Sequence, residues 1–408
     1  MLLFKMAFRN LLRQRRRSLL TGLTMLVGYV LFAINTGFSQ GAWGMMIDLV
    51  TRDHTGHAQI HATGYLDRPS LYKNFADTPA LYATLATDPA VVAATPRIHS
   101  SALAFVDTKT TGVKLIGIDP EREKVTTRIA DKVRDGAFLP AAAAKQALIG
   151  RTVADVLRAR VGSELVLISQ GADGSIANDL FTVAGILGDA KDTSEQNNVY
   201  LHLADAQEYL MLGGKVHEIA LLFADHKKAE KMTERLGATI AAAGFRDLSA
   251  ESWMEVEPEF YRTMQADRKG DNISQFIIML IVAVGVLNTV LMTVLERTRE
   301  YGVMAAIGTS PRRIFSLIVL ETGMLALVSC FIGAFLASFA LWYFAAVGIS
   351  YPEPVTIAGL TVTTLRSEFS AIAYYKPLLI VALTALLVSL LPAIRAARIR
   401  PIDALRSL

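Results

Sequence analysis

The chain has 408 residues, 52% of them hydrophobic, and a mean hydropathy of +0.37. This composition is too apolar for an ordinary soluble protein and too polar for a chain embedded in a membrane throughout, so we expect a membrane part and a soluble part. The net charge is only +4, and the basic residues cluster at both ends and in residues 296–313. That distribution indicates membrane orientation and argues against a nucleic-acid partner.

The first 38 residues predict a surface helix followed by a membrane span. Within residues 1–18, Phe4 and Phe8 fall on one helical face while Lys5 and several arginines fall on the other, as in a basic amphipathic helix at the lipid headgroups. Residues 19–38 have no charged side chain and are long enough to cross a hydrocarbon core of about 30 Å. A cleaved signal peptide is the alternative, although this apolar run is longer than a usual signal core and no small-residue cleavage site follows it.

Residues 39–257 have the composition of a soluble domain, with charges of both signs, short apolar runs and turn residues. A segment of this length can bury a sizeable core. The mixture of alternating and helical periodicity predicts an α+β domain divided into two lobes. Strands are expected at 59–61, 113–118, 164–168, 181–187, 199–203 and 218–223, and helices at 79–87, 151–159, 203–212 and 227–243.

Three further segments predict the remaining membrane spans. Residues 258–295 begin polar and end apolar without a strong helix breaker, so they can form one helix of about 57 Å, of which a membrane core uses about 30 Å. The excess would form a stalk above the membrane. Residues 314–344 and 377–394 predict the third and fourth spans, and a polar loop at 345–376 joins them.

Arginines are concentrated in residues 1–18, in the 296–313 loop and in the tail 395–408, whereas the 345–376 loop has no positive bias. By the positive-inside rule, we expect both termini and the 296–313 loop in the cytoplasm and residues 39–257 outside. The predicted fold is therefore an integral membrane α-helical protein with four transmembrane helices. A large α+β extracytoplasmic domain is inserted between its first and second spans.

Residues 296–313 predict a short ordered helix between the second and third spans. The stretch 299–307 fits about two helical turns, Gly308 suits a left-handed cap, and Ser310 and Pro311 fit the start of the next helix. Such a helix would leave four apolar side chains uncovered and could dock into a groove on a cytoplasmic partner. An interfacial turn lying on lipid headgroups is equally compatible with the spacing. The uncovered side chains are those of Tyr301, Val303, Met304 and Ile307.

The segment RTREYGVMAAIG, residues 297–308, resembles the cytoplasmic coupling loop of the MacB/FtsX-type ABC transporter permeases, which include the lipoprotein-release permeases. In that family the loop touches the ATPase subunit, and the resemblance implies the same role here. The residues to which it assigns ATPase coupling are Arg297, Arg299, Glu300, Tyr301, Gly302, Val303, Met304, Ile307 and Gly308. Further likeness extends over nearly the whole chain, at LIGIDP (115–120), ALIG (147–150) and PAIRAA (392–397), with Pro401 and residues 404–406 beyond.

The resemblance implies two permease chains, as a homodimer or a related heterodimer, with two copies of a separate cytoplasmic ATPase in the bacterial cytoplasmic (inner) membrane. The sequence has no phosphate-binding Gly-x-x-x-x-Gly-Lys-Ser/Thr loop, because Gly213-Gly214-Lys215 is followed by Val216 and lacks that spacing. We therefore expect a transporter permease subunit without catalytic residues or a cofactor of its own. ATP and Mg would be bound by the partner ATPase.

Two polar groups outside the loop are further candidates. His54, His57 and His61 could suggest a metal, but no cysteine or clustered carboxylate accompanies them, so a solvated strand face is the simpler interpretation and no metal is predicted. Asn288 and Thr289 lie at membrane depth, where an unpaired amide is costly. They are candidates for lining a membrane cavity, and an interhelical hydrogen bond is the alternative.

Small residues recur along one face of the third span, and they allow another helix to approach closely. Packing within the subunit is the favoured interpretation, and a subunit interface is the alternative, because four spans must first pack with one another. The stripe consists of Ala326, Ser329, Gly333 and Ala337.

The size of the external domain separates the branches of the resembled family. Cell-division members have a small external domain and MacB-like efflux members carry a fused ATPase, and this chain has neither feature. The resemblance is strongest to the lipoprotein-release (LolC/LolE-like) branch, which implies extraction of a lipoprotein or lipid-like substrate, with membrane lipid and a periplasmic protein as further partners. Efflux of a peptide or antibiotic is one alternative. A signal transducer that activates a cell-wall hydrolase without transport is another.

Overall fold

The computed structural model describes residues 2–13, 15–188, 195–357 and 360–399. The chain folds into two compact units. The membrane unit comprises Met1–Gly44, Met264–Ser350 and Thr364–Leu408, and the soluble unit comprises Met45–Thr263 and Tyr351–Thr363. Pro401 and residues 404–406, which belong to the C-terminal resemblance, lie outside the described residues.

Helices and strands are numbered in chain order within the described residues. The helices are α1 Leu2–Arg13, α2 Arg15–Val50, α3 Pro79–Leu85, α4 Pro120–Thr126, α5 Arg151–Leu157, α6 Leu203–Tyr209, α7 Ala229–Ala242, α8 Trp253–Val256, α9 Pro258–Glu296, α10 Thr298–Ala306, α11 Pro311–Ala346 and α12 Ile372–Ala397. The strands are β1 Ala58–Ala62, β2 Phe75–Ala76, β3 Val91–Val106, β4 Lys109–Ile118, β5 Val133–Gly136, β6 Gln146–Gly150, β7 Glu164–Gln170, β8 Ile176–Leu187, β9 Asn198–His202, β10 Lys215–Val216, β11 Glu218–Phe223, β12 Leu248–Ser252, β13 Ile349–Ile357 and β14 Leu360–Leu365.

In the described part of the chain, four helices are long and apolar enough to cross a membrane, namely α2, α9, α11 and α12. The predicted number of spans is therefore confirmed. Helix α9 runs without interruption from Pro258 to Glu296 and contains Gly270. The cost of a glycine in a helix interior, about 1 kcal/mol relative to alanine, is too small to break a helix of this length.

Two of the helices extend beyond the predicted spans. The first apolar run ends at residue 38, but α2 continues to Val50, because polar residues such as Ser39 and Gln40 end the hydropathy signal without breaking a helix. Helix α12 begins at Ile372 and contains Pro377, which the sequence placed at the start of the span. A proline near a helix start is tolerated because few backbone donors there have a partner to lose.

The 345–376 segment, predicted to be a polar loop, contains a two-stranded hairpin formed by β13 and β14. Two prolines, Pro352 and Pro354, fall within β13 and argue against a strand in a sequence pattern. A two-stranded ribbon consists only of edge strands, and proline is tolerated in an edge strand where its missing N–H would face solvent.

One mixed sheet organises the described part of the soluble unit. Its order is β12-β1-β11-β3-β4-β9-β6-β8-β5, and β7 pairs with both β3 and β8. The pairs β4/β9 and β6/β8 are parallel, and the others are antiparallel. The α+β class is as predicted, but the expected division into two lobes is wrong for the strands, since backbone hydrogen bonds join all ten.

The longest strand, β3, was not among the predicted strands. Pro96 and the polar sequence around His99 interrupt the apolar alternation that would identify it. Its backbone groups are nevertheless paired, with β11 along the first part and with β4 along the second. Tertiary pairing therefore decides the conformation of this segment.

Close helix approaches organise the membrane unit. A Cβ placed at Gly28 of α2 would come within 2.2 Å of the Val282 side chain of α9, and one at Gly333 of α11 within 2.8 Å of the Tyr29 ring of α2. All four members of the small-residue stripe on α11 are buried within the chain. The prediction that this stripe serves packing within the subunit is confirmed.

Candidate functional site

Helix α10 is capped at its end by the residues that the sequence singled out. Gly308 has φ +92°, which only glycine adopts without strain, and the N–H of Thr309 donates to the Met304 carbonyl at 2.9 Å while the N–H of Gly308 donates to that of Ala305 at 3.1 Å. Ser310 then precedes Pro311, the first residue of α11. The helix is a defined element held between α9 and α11.

The two faces of α10 have different environments. Ile307 is 78% exposed and Val303 is 45% exposed, and Arg299 and Glu300 are also exposed. Residues four apart in a helix share a face, so Val303 and Ile307 form one exposed apolar pair. The structure thus places on the surface only part of the predicted docking set.

The prediction that Tyr301 and Met304 are uncovered is wrong. Tyr301 is only 1% exposed and belongs to the core of the membrane unit, and Gly302 is buried beside it. Met304 is half-buried and packs against the same core. Because residues 301 and 304 are three apart, they lie on the face of α10 opposite Val303 and Ile307, and that face is occupied by the chain itself.

Arg297 also lies inside the membrane unit, 6% exposed, at the one-residue break between α9 and α10. Its Nε donates to the Glu300 carboxylate at 2.9 Å, and its Nη1 donates to the Glu321 carboxylate of α11 at 3.1 Å. The guanidinium also lies 5.2 Å from the centre of the Tyr301 ring. It is therefore an internal anchor of α10 and does not belong to the exposed surface of that helix.

Glu321 is the residue of this region that the sequence analysis missed. Its carboxylate accepts hydrogen bonds from Arg297 of the α9–α10 break and from the Asn10 amide of α1, the latter at 2.5 Å. An acidic residue within an apolar span is expensive and usually functional, and that signal would have found it.

The structure does not bring Asn288 and Thr289 together in one site. The Thr289 hydroxyl donates to the Gly285 carbonyl of its own helix at 2.8 Å, while Asn288 is exposed on the surface of the chain. The hydrogen bond of the Thr289 hydroxyl is therefore made within its own helix. A cavity role for Asn288 stays a prediction.

The prediction that His57 and His61 lie on a solvated strand face is wrong. His57, which directly precedes β1, and Gln59 and His61 of β1 are all buried. Within the described residues, no three or more histidine, cysteine, aspartate or glutamate side chains are arranged to hold a metal ion.

His61 is part of a buried ionic network. Its Nδ1 lies 3.0 Å from the Glu251 carboxylate and its Nε2 lies 3.9 Å from that of Glu218. Burial alone would lower the pKa of His61, but these two carboxylates raise it to about 9. His61 is therefore protonated at neutral pH.

Arg97 of β3 closes the same network. It donates to Glu218 at 3.0 Å and to Glu123 at 2.6 Å, and the His99 ring lies 2.7 Å from Glu218. Burial would raise the pKa of Glu218, but the charges of His99 and Arg97 hold it well below its usual range. Several of these charged side chains line a cleft of about 730 Å³.

Two family models match the chain. The MacB-like periplasmic core domain matches residues 18–239, and the FtsX-like permease C-terminal domain matches residues 272–401. The second match includes α10, Arg297 and Glu321, and the first includes most of the sheet.

Among proteins of known name, the lipoprotein-releasing system transmembrane protein LolC of Neisseria meningitidis serogroup B is 21% identical over 74% of this chain and 69% of its own length. The macrolide export ATP-binding/permease protein MacB of Nitrobacter winogradskyi is 26% identical over 63% of this chain, which spans only 38% of that longer protein. A solved structure of the periplasmic region of MacB from Actinobacillus actinomycetemcomitans aligns with 54% of this chain and 98% of its own length, at 15% identity and a TM-score of 0.38.

Proposed function

The chain belongs to the MacB/FtsX-type family of ABC transporter permeases, and we propose that it couples ATP hydrolysis on a separate cytoplasmic ATPase to movement of its periplasmic domain. The observation that carries this proposal is the two-faced helix α10. One face is fixed in the membrane core by Tyr301, and the other presents Val303 and Ile307 to the surrounding medium. A helix of this kind can receive a force and pass it to the bundle.

The proposed docking surface on α10 is smaller than the sequence indicated. Val303 and Ile307 supply the apolar contact for a groove on the ATPase, and the exposed Arg299 and Glu300 set the orientation through polar contacts at its rim. Two ATPase copies, each binding its own ATP and Mg, would serve two permease chains, either identical or related. Arg297, Tyr301, Gly302 and Gly308 then act by holding α10 in place.

The proposed topology puts both termini and α10 in the cytoplasm. The support is the arginine content of residues 1–18, 296–313 and 395–408 compared with that of 345–376. With the MacB-like domain in the periplasm, this arrangement places the protein in the bacterial inner membrane. It also brings α10 to the compartment that contains ATP.

The proposed lever between the two compartments is α9. An unbroken helix transmits a displacement that a flexible joint would absorb, and α9 is continuous from Pro258 to Glu296. Close packing against α2 supports it within the membrane unit, where a Cβ at Gly285 would come within 2.6 Å of Thr24.

The proposed substrate is a lipoprotein or another acylated, lipid-like molecule taken from the membrane. The support is the LolC relative, whose similarity covers 74% of this chain and whose name states lipoprotein release. Efflux of a small molecule is the second candidate, because MacB is named for macrolide export and is similar over 63% of the chain. Mass spectrometry of material bound to the purified complex separates the two: acylated protein supports release, and a small molecule without acylated protein supports efflux.

The test of coupling is Ile307→Glu, which puts a carboxylate into the proposed apolar contact. Burying an unpaired charge there is expensive, whereas the same change at a headgroup surface is nearly neutral. We expect the variant to insert normally and to lose the ATPase on purification. Arg312→Ala, an exposed change at the start of α11, is the control and should retain the ATPase. An Ile307→Glu complex with normal ATPase content and output would overturn the proposal.

A further inference from the structure

Glu321 stands where a carboxylate is costly. It follows the start of α11 by ten residues, about 15 Å along the helix, within a segment otherwise apolar enough to cross a membrane. Its side chain is only 12% exposed, so little of it can be hydrated from the surface. A carboxylate without partners would be strongly disfavoured in that position, so other groups of the chain must pair with Glu321.

Those partners come from two other segments of the chain. Arg297 Nη1 reaches both carboxylate oxygens, at 3.1 and 3.3 Å, and Asn10 of α1 donates to Oε1. Asn10 and Glu321 are 311 positions apart in sequence. A single carboxylate thus joins α1, the break before α10, and α11, and we call this group the Glu321 junction.

Stabilisation of the fold does not by itself explain the Glu321 junction. A buried ion pair seldom stabilises a fold more than apolar residues of similar volume would, although removing one partner is strongly destabilising. What such a group supplies is directional contact between specific partners. Arg297 also contacts Glu300 and the Tyr301 ring, so the side chain that reaches Glu321 is tied to the first turn of α10 as well.

A small cavity of about 50 Å³ adjoins the junction and is lined by apolar side chains such as Leu11 and Val290, by threonines, and by the junction residues themselves. Tight apolar packing is therefore incomplete at this point of the bundle. The polar contacts of Glu321 carry more of the connection between α1, α10 and α11 than they would in a filled core.

We propose that Glu321 is a positioning residue that fastens the coupling helix α10 and the surface helix α1 to the third span, α11, so that these segments move together. The proposal rests on the proposed function in one respect, since it names the route by which displacement of α10 enters the bundle. Displacement then reaches α11 through the junction and reaches α9 through the chain. The fastening itself is a property of this chain and does not require the ATPase.

The first test measures the fastening alone, in the full chain in lipid nanodiscs without ATPase. Spin labels at Lys5→Cys and Arg299→Cys, both exposed, report the distance between α1 and α10 in a Cys330→Ser background. We expect one narrow distance distribution for the parent and a broad one for Glu321→Gln, with roughly tenfold more of the displaced population, because the neutral amide cannot pair with the Arg297 charge.

Glu300→Gln is the matched control. It removes a carboxylate from the same arginine, but Glu300 is half exposed, so water can replace it and the distribution should stay narrow. Glu321→Asp, which keeps the charge, should recover much of the narrow component. An unchanged distribution in Glu321→Gln would overturn the proposal, and so would equal broadening in Glu300→Gln.

The second test uses the reconstituted complex with the ATPase. We expect Glu321→Gln to keep the bound ATPase and its hydrolysis while output per ATP falls several-fold, and Glu321→Asp to restore that ratio. A residue that only stabilises the fold would lower both quantities together. Unchanged output per ATP would overturn the proposal. If Ile307→Glu shows that α10 does not bind an ATPase, the distance measurement still decides whether the junction fastens α1 and α10.

Discussion

Two buried arginines, Arg97 in the soluble unit and Arg297 in the membrane unit, each pair with two carboxylates. Arg97 lies in β3, whose neighbours on both sides are fixed by continuous backbone hydrogen bonds. Arg297 lies at a break between two helices and reaches a third and, through Glu321, a fourth. The two sets of ion pairs therefore have different consequences. Those of Arg97 form at a position that strand pairing already fixes, whereas those of Arg297 help to determine how the helices are joined.

The largest expected effect comes from Arg97→Met. The substitution removes the guanidinium that pairs with both buried carboxylates, Glu123 and Glu218, at a cost of about 3–5 kcal/mol. Urea unfolding of the soluble unit in the detergent-solubilised chain, followed by protease resistance of the β1 and β11 segments, should show a large loss. A midpoint within error of the parent would mean that the network does not stabilise the sheet.

A break in α9 should affect output more than stability. Replacing Gln265 and Ala266 by Gly-Pro disrupts the helix at a cost of about 3 kcal/mol, outside its apolar part. We expect ATP hydrolysis to be largely retained and the periplasmic output to be lost. Full output in this variant would show that the compartments communicate by another route, and Gln265→Ala with Ala266 unchanged is the control.

The stability of the soluble unit should pass through a maximum near pH 6.5. The carboxylates of Glu218 and Glu251 raise the pKa of His61 to about 9 despite its burial. The contribution of His61 to the free energy of unfolding is therefore complete below pH 6.5 and is lost as the pH rises towards 9. Burial lowers the pKa of His57 and His217 to about 4, so both must be protonated on unfolding below pH 6.5, and stability falls from there towards pH 4.

Urea midpoints measured from pH 4 to 9 test the loss of stability on each side of this maximum. His61→Gln should reduce the loss of stability above pH 6.5, and His217→Gln should reduce part of the loss below it. A monotonic profile in the parent would contradict the assigned charge states.

The smallest of these effects is expected for Arg297→Lys. Lysine keeps the charge but cannot reach Glu300 and Glu321 at once with the fixed geometry of a guanidinium. We expect nearly normal assembly, a modest loss of output per ATP and a slightly broader distance distribution between α1 and α10. A loss as large as that of Glu321→Gln would mean that geometry, rather than charge, holds the junction.

Much of the fold follows from local sequence. The four spans are predictable because apolar runs of membrane length contrast with charged connections, and the caps of α10 are predictable because Gly308, Ser310 and Pro311 act on their immediate neighbours. Both features depend on residues close together in the sequence. Contacts with distant segments seldom change them.

The burial of particular side chains could not be predicted in the same way. Arg297 and Tyr301 are internal because of Glu321, Asn10 and the packed spans, and Asn10 is nearly the length of the chain away. His61 is internal and pairs with Glu218 of β11 and Glu251 of β12, two strands that follow β1 by more than half the soluble unit. A pattern read along the chain records polarity, and it does not record which distant segment will cover a polar group.

The central claim is that the exposed face of α10 contacts an ATPase, and site-specific photo-crosslinking tests it most directly. A photoreactive residue replacing Ile307 in the native membrane should capture one ATP-binding protein, with a yield that changes when ATP is trapped. The same residue replacing Phe331, which is 82% exposed on α11 in the apolar span, should capture lipid. Capture of lipid alone at Ile307, in membranes where the complex is assembled and active, would contradict the account.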